Sequence, residues 1–313
     1  MLIKINRDIP LFGCIAFGII DRGTNLIQVR PTSRCNLKCV YCSVSANDPR
    51  IHPNEFEVEL DYLVDEIKKV AEYKGEIEVN IDSVGDPVMY PSLVELIKRL
   101  DIKMISMQTN GTLLTKKKID DLAKAGLKRI NLSINAMDKE LARKLAGCEY
   151  DLDKVLDIAK YISEKMELLL APVWLPGLND EEIPKLIELA KKLNCKIGIQ
   201  KYETYKYSRK AKGTKKITFW KFYKQLEKWE EGYKFKLKLG PRDFEIKKAK
   251  RIPTIFNRGD KVNVVIKAPG WMQGQMIGIA KDRCITILDC NKKLNQRVNV
   301  KILSNTDGIY TAK

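Results

Sequence analysis

From Leu26 to Gln200 the chain alternates short apolar strands with amphipathic helices almost without interruption, and no other feature narrows its fold as far. Leu26–Arg30 reads as a strand closed by Pro31. Residues 59–72 have helical spacing, with Leu60, Leu63, Val64, Ile67 and Val70 on one face. Residues 76–82 alternate as a strand. A helix over 91–100 follows, and Pro91 suits its first position, where a missing N–H loses no intrahelical partner. Further strands are expected at 103–108, 129–134, 168–174 and 196–200. Further helices are expected at 115–125, ended by Gly126, and at 139–145, 152–165 and 181–193. Strand–helix repetition of this kind predicts an α/β fold, a partial or full (β/α) barrel of about six parallel strands. In such barrels the chemistry gathers at the C-terminal ends of the strands.

After Gln200 the pattern changes. Residues 201–252 form a basic connector with helical spacing over 217–231. Beyond Pro253, short alternating stretches at 261–266, 274–280, 284–289, 296–302 and 308–312, separated by glycines and polar turns, predict a small all-β barrel of the oligonucleotide-binding kind. The expected organisation is therefore an N-terminal extension (1–25), a (β/α) barrel (26–200), the connector (201–252) and the small barrel (253–313). The formal charge of +17 follows this division. Residues 201–251 hold 18 Lys and Arg against 6 acids, and residues 252–313 hold 10 against 4, so the rest is near neutral. Such a basic third suits a phosphate backbone, and a solvated lysine surface is the plainer alternative. The N-terminus lacks a signal-like apolar core and no stretch nears the ~18 apolar residues of a membrane span, so a cytoplasmic protein with no membrane partner is expected.

The chemistry-bearing signal is a loop directly after the first strand of the alternation, Arg34-Cys35-Asn36-Leu37-Lys38-Cys39-Val40-Tyr41-Cys42. Three thiolates so closely spaced can hold three irons of a four-iron cluster. A structural zinc would ask for a fourth ligand, and His52, the single histidine, is the candidate. The other five cysteines are scattered, and each is more often a small buried hydrophobe than a catalytic group.

This loop resembles the signature of the radical S-adenosylmethionine (SAM) superfamily, and the likeness runs from about Ile15 to Gln200. It implies that Cys35, Cys39 and Cys42 are catalytic ligands of a [4Fe-4S] cluster whose fourth iron takes the amino and carboxylate groups of SAM. SAM is then cleaved to methionine and a 5′-deoxyadenosyl radical that abstracts hydrogen from a substrate. The resemblance places Tyr41 against adenine. Ser83-Val84-Gly85-Asp86-Pro87 is similar to the family's element that receives the SAM ammonium, with Val84 and Asp86 departing from the usual residues. Thr109-Asn110-Gly111 is similar to the element near ribose and methionine. Ser133 and Asn135 match positions that bond the methionine part or ribose. Val173 opens a stretch, to Gly177, that matches the one holding adenine.

Residues 258–262, 274–278, 296–300 and 309–312 resemble a TRAM domain, an RNA-binding barrel carried by tRNA- and rRNA-modifying enzymes, and the pairing of modules is of archaeal type. Trp271 and Tyr310 are the aromatics expected to stack bases. The resemblance implies an enzyme that modifies an RNA base, most simply in tRNA, with RNA held by residues 201–313 and an electron donor such as ferredoxin or flavodoxin. The likeness to tRNA methylthiotransferases breaks at the front, where only Cys14 precedes the signature. The alternatives are a radical SAM enzyme for a protein or small molecule, and an RNA-binding protein with a structural metal.

Overall fold

The structure, a computed structural model, describes Met1 to Lys313. It divides into two compact units: Met1–Cys35, Asn47–Met104 and Ile246–Lys313 form the first, Asn36–Ala46 and Ile105–Glu245 the second. No helix is long and apolar enough to cross a membrane.

The first unit opens with β1 (Leu2–Ile5), β2 (Gly18–Asp21), β3 (Leu26–Arg30), β4 (Glu55–Val58), α1 (Leu60–Lys74), β5 (Glu78–Ile81) and α2 (Leu93–Leu100). Strands β3 and β5 are parallel, with β2 antiparallel beside β3. Helix α1 buries Leu63, Val64, Ile67 and Val70, the face its spacing predicts. The helix expected from Pro91 begins instead at Leu93. Pro91 and Ser92 form a turn ahead of it, and upstream lies a short 3-10 turn, Pro87–Met89, which Asp86 caps through Val88 N–H. At the end of β5 the Asp82 carboxylate grips the Arg30 guanidinium through two hydrogen bonds of 2.9 and 3.1 Å, both side chains largely buried.

The second unit contains β6 (Met104–Thr109, all but its first residue), α3 (Lys116–Ala125), β7 (Arg129–Leu132), α4 (Lys139–Ala146), α5 (Leu152–Lys165), β8 (Glu167–Leu170), β9 (Val173–Trp174), α6 (Glu182–Lys192), β10 (Lys196–Ile197), β11 (Gln200–Lys201) and α7 (Phe219–Tyr233). Strands β6, β7, β8 and β10 form a parallel ladder. With β3 and β5 this gives the six parallel strands expected, and the chain is a mixed α/β protein. Thr115, Asp138 and Asp151 cap α3, α4 and α5 with side-chain oxygens, and Gly126 ends α3 in a left-handed conformation. The strand expected over 168–174 is split. Pro172 has no N–H to donate to a ladder; β8 stays in the ladder, while β9 pairs with β11 in a separate two-stranded piece.

The chain then returns to the first unit with β12 (Lys261–Pro269), β13 (Met276–Ala280), β14 (Arg283–Ile287), β15 (Arg297–Ser304) and β16 (Thr311–Ala312), which close into a five-stranded barrel. Its core holds Val264, Ile266, Ile285, Val300, Ile302 and Tyr310. The barrel is sewn to the N-terminal segment of its own unit: Cys284 N–H donates to Phe12 carbonyl (2.7 Å), Tyr310 N–H to Gly13 carbonyl (3.0 Å), and Asn54 Nδ2 to Gly270 carbonyl (2.8 Å).

This packing corrects the role expected for two aromatics. Tyr310 is wholly buried, its ring against Phe256 and its hydroxyl accepting from Ile255 N–H at 3.0 Å. Trp271 is 4% exposed and stacks on His52 with ring centroids 3.8 Å apart. Neither ring has a face to offer a base.

Candidate functional site

The residues singled out from the sequence fall into two groups, one on each unit. On the first unit lie Cys35 and the loop Ser83 to Pro87. Ser83 Oγ donates to Thr32 carbonyl and accepts from Gly85 N–H (2.8 Å), and Asp86 N–H donates to Arg34 carbonyl (2.7 Å). The loop after β5 is thereby pinned to the residues that lead into Cys35. Gly85 is there because the two backbones nearly touch: a Cβ on it would sit 2.0 Å from the Arg34 oxygen and 2.9 Å from Cys35 Cβ. Asp86 is 2% exposed, and one of its carboxylate oxygens accepts from Val88 N–H at 2.9 Å.

On the second unit lie Cys39, Tyr41, Cys42, Thr109, Asn110, Ser133, Asn135 and Val173. The segment carrying the two cysteines rests on the end of α4: Lys38 N–H donates to Ala146 carbonyl (3.1 Å) and Val40 N–H to Leu145 carbonyl (3.0 Å). Carbonyls of a helix's last turn have no partner within the helix, so the loop uses acceptors the fold leaves available. Gly147 permits this, since a Cβ there would meet Lys38 carbonyl oxygen at 2.1 Å and its φ is +68°. Cys42 Sγ accepts from Ala46 N–H at 3.3 Å.

A polar chain then connects this loop to the strand ends. Asn135 Nδ2 donates to Tyr41 Oη (2.6 Å) while Asn135 Oδ1 accepts from Val173 N–H (2.7 Å). Asn110 Nδ2 donates to Asn36 Oδ1 (3.0 Å), and Asn36 Nδ2 to Thr112 Oγ1 (2.8 Å). Ser133 Oγ accepts from Gln108 Nε2 (2.8 Å), and Thr109 Oγ1 from Gly111 N–H (3.1 Å). A small pocket is lined by Cys39, Tyr41, Asn110, Ser133, Asn135 and Tyr150, among others. Burial pushes the Cys39 thiol up to about 11, with Cys42 and Cys148 adding to the shift and the Tyr41 hydroxyl opposing it by hydrogen-bonding the sulfur. Burial raises the Tyr41 phenol well above its usual value too.

Several organising residues escaped the sequence reading. Asn179, 1% exposed, donates to both Asn135 and Val173 carbonyls at 2.9 Å. Glu182 accepts from Met137 and Asp138 N–H; burial works against its charge, yet these bonds and Lys185 hold its carboxyl below the usual range. Arg209 ties the connector to the cysteine loop: its N–H donates to Cys42 carbonyl (2.9 Å), Nη1 to Cys39 carbonyl (3.4 Å) and Nη2 to Ala46 carbonyl (2.7 Å). Ser208 Oγ adds a bond to Ser43 carbonyl at 2.7 Å. Asn36 could have been found, since it stands inside the cysteine motif. Nothing in the sequence separates Arg209 from the lysines around it.

The donor set suits an iron–sulfur cluster. Three thiols stand on one loop, an amide N–H faces one sulfur, and a glycine keeps the neighbouring backbone clear beside Cys35. No three His, Cys, Asp or Glu side chains are drawn together as around a single ion. Thiolates that each hold a different iron need not be. Cys14 and Cys284, at 1% and 0% exposure, are core residues of the first unit.

Residues 29–190 match the radical SAM superfamily. An uncharacterized protein of Methanocaldococcus jannaschii is 41% identical over 99% of this chain and 80% of its own length. A GTP 3′,8-cyclase of Clostridium perfringens is 31% identical over 55% of this chain and 53% of that enzyme, so the chain spans about half the length of such cyclases. Among solved structures, Streptococcus suis SuiB bound to S-adenosylmethionine shares the fold, with a TM-score of 0.55, 21% identity, and coverage of 68% of this chain and 48% of that one. The chain belongs to the radical SAM superfamily, and it is an enzyme whose cofactors are a [4Fe-4S] cluster and SAM.

Proposed function

We propose that the enzyme holds its cluster through Cys35, Cys39 and Cys42 and modifies a base in RNA, with tRNA the first substrate to test. The observation that carries the RNA half is the tie between the basic segment after Gln200 and the cysteine loop, made by Ser208 and Arg209. A polyanion gripped by that segment is held by the same stretch of chain that braces Cys39 and Cys42. The small barrel, similar in sequence pattern to TRAM domains, adds ten basic residues of its own.

When bound, the cluster supplies the electron that splits SAM into methionine and a 5′-deoxyadenosyl radical, and a ferredoxin- or flavodoxin-like donor restores it. The chain's own residues bind and orient. The Ser83–Pro87 loop, with Asp86, would receive the SAM ammonium. Thr109, Asn110 and Ser133 would bind the ribose and methionine portions. Asn135 fixes Tyr41 and the Val173 backbone, which would hold the adenine.

A free purine nucleotide is the second reading, favoured by the likeness to GTP 3′,8-cyclases. Mass spectrometry of tRNA nucleosides from a strain lacking the gene separates the two. The RNA reading expects one modified nucleoside to vanish and its precursor to rise. An unchanged profile, with turnover of GTP by the reduced enzyme, turns the assignment to the nucleotide.

A further inference from the structure

Helix α7 has apolar residues on two faces, and only one of them has a structural use. On the inner face Phe222 and Leu226 are buried, and Trp174 lies 6.0 Å from the Phe222 ring and 5.0 Å from that of Trp229. On the outer face Phe219, Trp220 and Tyr223 are 58%, 68% and 49% exposed. Phe219 and Trp220 stand one helical turn before Tyr223, at i, i+4 and i, i+3 spacing, and Phe219 and Tyr223 stack with centroids 6.4 Å apart. Tyr205 and Tyr207, just upstream, are exposed as well. Of six exposed large aromatics in the molecule, Tyr73 alone lies outside residues 205–223.

The charge around these rings is one-sided. Residues 201–224 contain nine Lys and Arg and a single acid, Glu203. Glu203 pairs with Lys201, whose ammonium also covers the Phe219 ring at 4.6 Å, and Lys224 pairs with Glu227. Lys206, Lys210, Lys212, Lys215, Lys216 and Lys221 stand exposed with no carboxylate opposite. Planar rings interleaved with unpaired lysines are what single-stranded nucleic acid requires: faces for bases and cations for phosphates. A membrane surface would call for aliphatic residues among the aromatics, and no exposed Leu or Ile lies in this stretch.

We propose that Phe219, Trp220 and Tyr223, with the lysines of residues 206–224, form a stacking platform for an unpaired segment of the RNA substrate. This rests on the RNA reading above and moves base stacking from the barrel to α7. Ser208 and Arg209, which brace the cysteine loop, belong to the same basic segment of the chain.

The test uses the full-length, cluster-loaded protein and an oligouridine of about 12 nucleotides, within the site size of single-strand binders. Tryptophan fluorescence and direct titration give the affinity at two salt concentrations. Trp220→Ala is expected to weaken binding about five- to a hundredfold, and Trp220→Phe to restore most of it. The affinity of the parent should fall by about 0.7 log units per log unit of salt for each phosphate neutralised. If the parent binds and Trp220→Ala binds equally well, the platform is wrong and the RNA reading stands. If the parent does not bind at low salt, the RNA reading fails and takes the platform with it. Binding to anionic phosphatidylserine vesicles in place of RNA makes this a membrane-facing surface and also overturns the proposal. Trp220 is exposed, so a thermal melt matching the parent's shows that a loss of affinity is not a loss of fold.

Discussion

The C-terminal barrel and the segment 201–224 carry the same kind of sequence, basic and dotted with aromatics, yet they bury those aromatics in opposite ways. The barrel turns Tyr310 and Trp271 inward, one into its own core and the other onto His52. The segment leaves Tyr205, Phe219, Trp220 and Tyr223 in solvent. A barrel of about sixty residues has little apolar material and must spend its rings on its own stability. A helix already anchored by Phe222, Leu226 and Trp229 does not. Net charge marks where a polyanion is attracted; the exposure of rings marks where bases can stack.

The largest test of this contrast removes the barrel. Deleting residues 253–313 takes away the partners of the Phe12 and Gly13 carbonyls, of Asn54 and of His52. The truncated chain is expected to lose the cooperative melt of the first unit, a loss comparable to a whole domain's ~5–15 kcal/mol, as read by circular dichroism. Retention of the parent's melting curve would make the barrel a separate folding unit, in line with the division at 253 expected from the sequence. A smaller effect is expected from Arg209→Gln in the segment, which removes hydrogen bonds to the Cys39 and Ala46 carbonyls. Losing these charge-assisted bonds costs about 1.5–3 kcal/mol of loop anchoring, so iron should leave faster on challenge with a chelator. Arg297→Gln, at an exposed site on the barrel, should leave iron release unchanged. Smallest is Tyr310→Phe, which leaves Ile255 N–H without its acceptor and costs about 1–3 kcal/mol of stability. Its affinity for oligouridine should equal the parent's, and a drop would return base stacking to the barrel.

Periodicity made most of the scaffold legible. The strand Leu26–Arg30 and the helix Leu152–Lys165 fall where the apolar spacing puts them. Three strands were not legible: Leu2–Ile5 and Glu55–Val58 pair with each other and Gly18–Asp21 runs antiparallel, so none belongs to the strand–helix repeat that marked the others. Pro172 broke an apolar run that otherwise reads as one strand, because the run is compatible with either and only the missing donor decides. At the site, residue types were readable and partners were not. Asn135 was identifiable at a strand end, but its bridge from Tyr41 to the Val173 backbone depends on Asn179, forty-odd residues on in sequence and fixed by the turn before α6. Asp86, expected to receive the SAM ammonium, caps a 3-10 turn, which its Gly-Asp-Pro context does not reveal. The bracing of the cysteine loop by α4 and Arg209 comes from contacts more than a hundred residues apart in sequence, where no local pattern reports them.

Cleavage of SAM at a cluster held by this loop is read most directly from the yield of 5′-deoxyadenosine from SAM by the anaerobically purified, chemically reduced protein. Product is expected from the parent and none from Cys35→Ala, Cys39→Ala or Cys42→Ala, with Cys195→Ala like the parent. An iron-loaded parent that forms no 5′-deoxyadenosine, or a Cys39→Ala protein that forms as much as the parent, would contradict it.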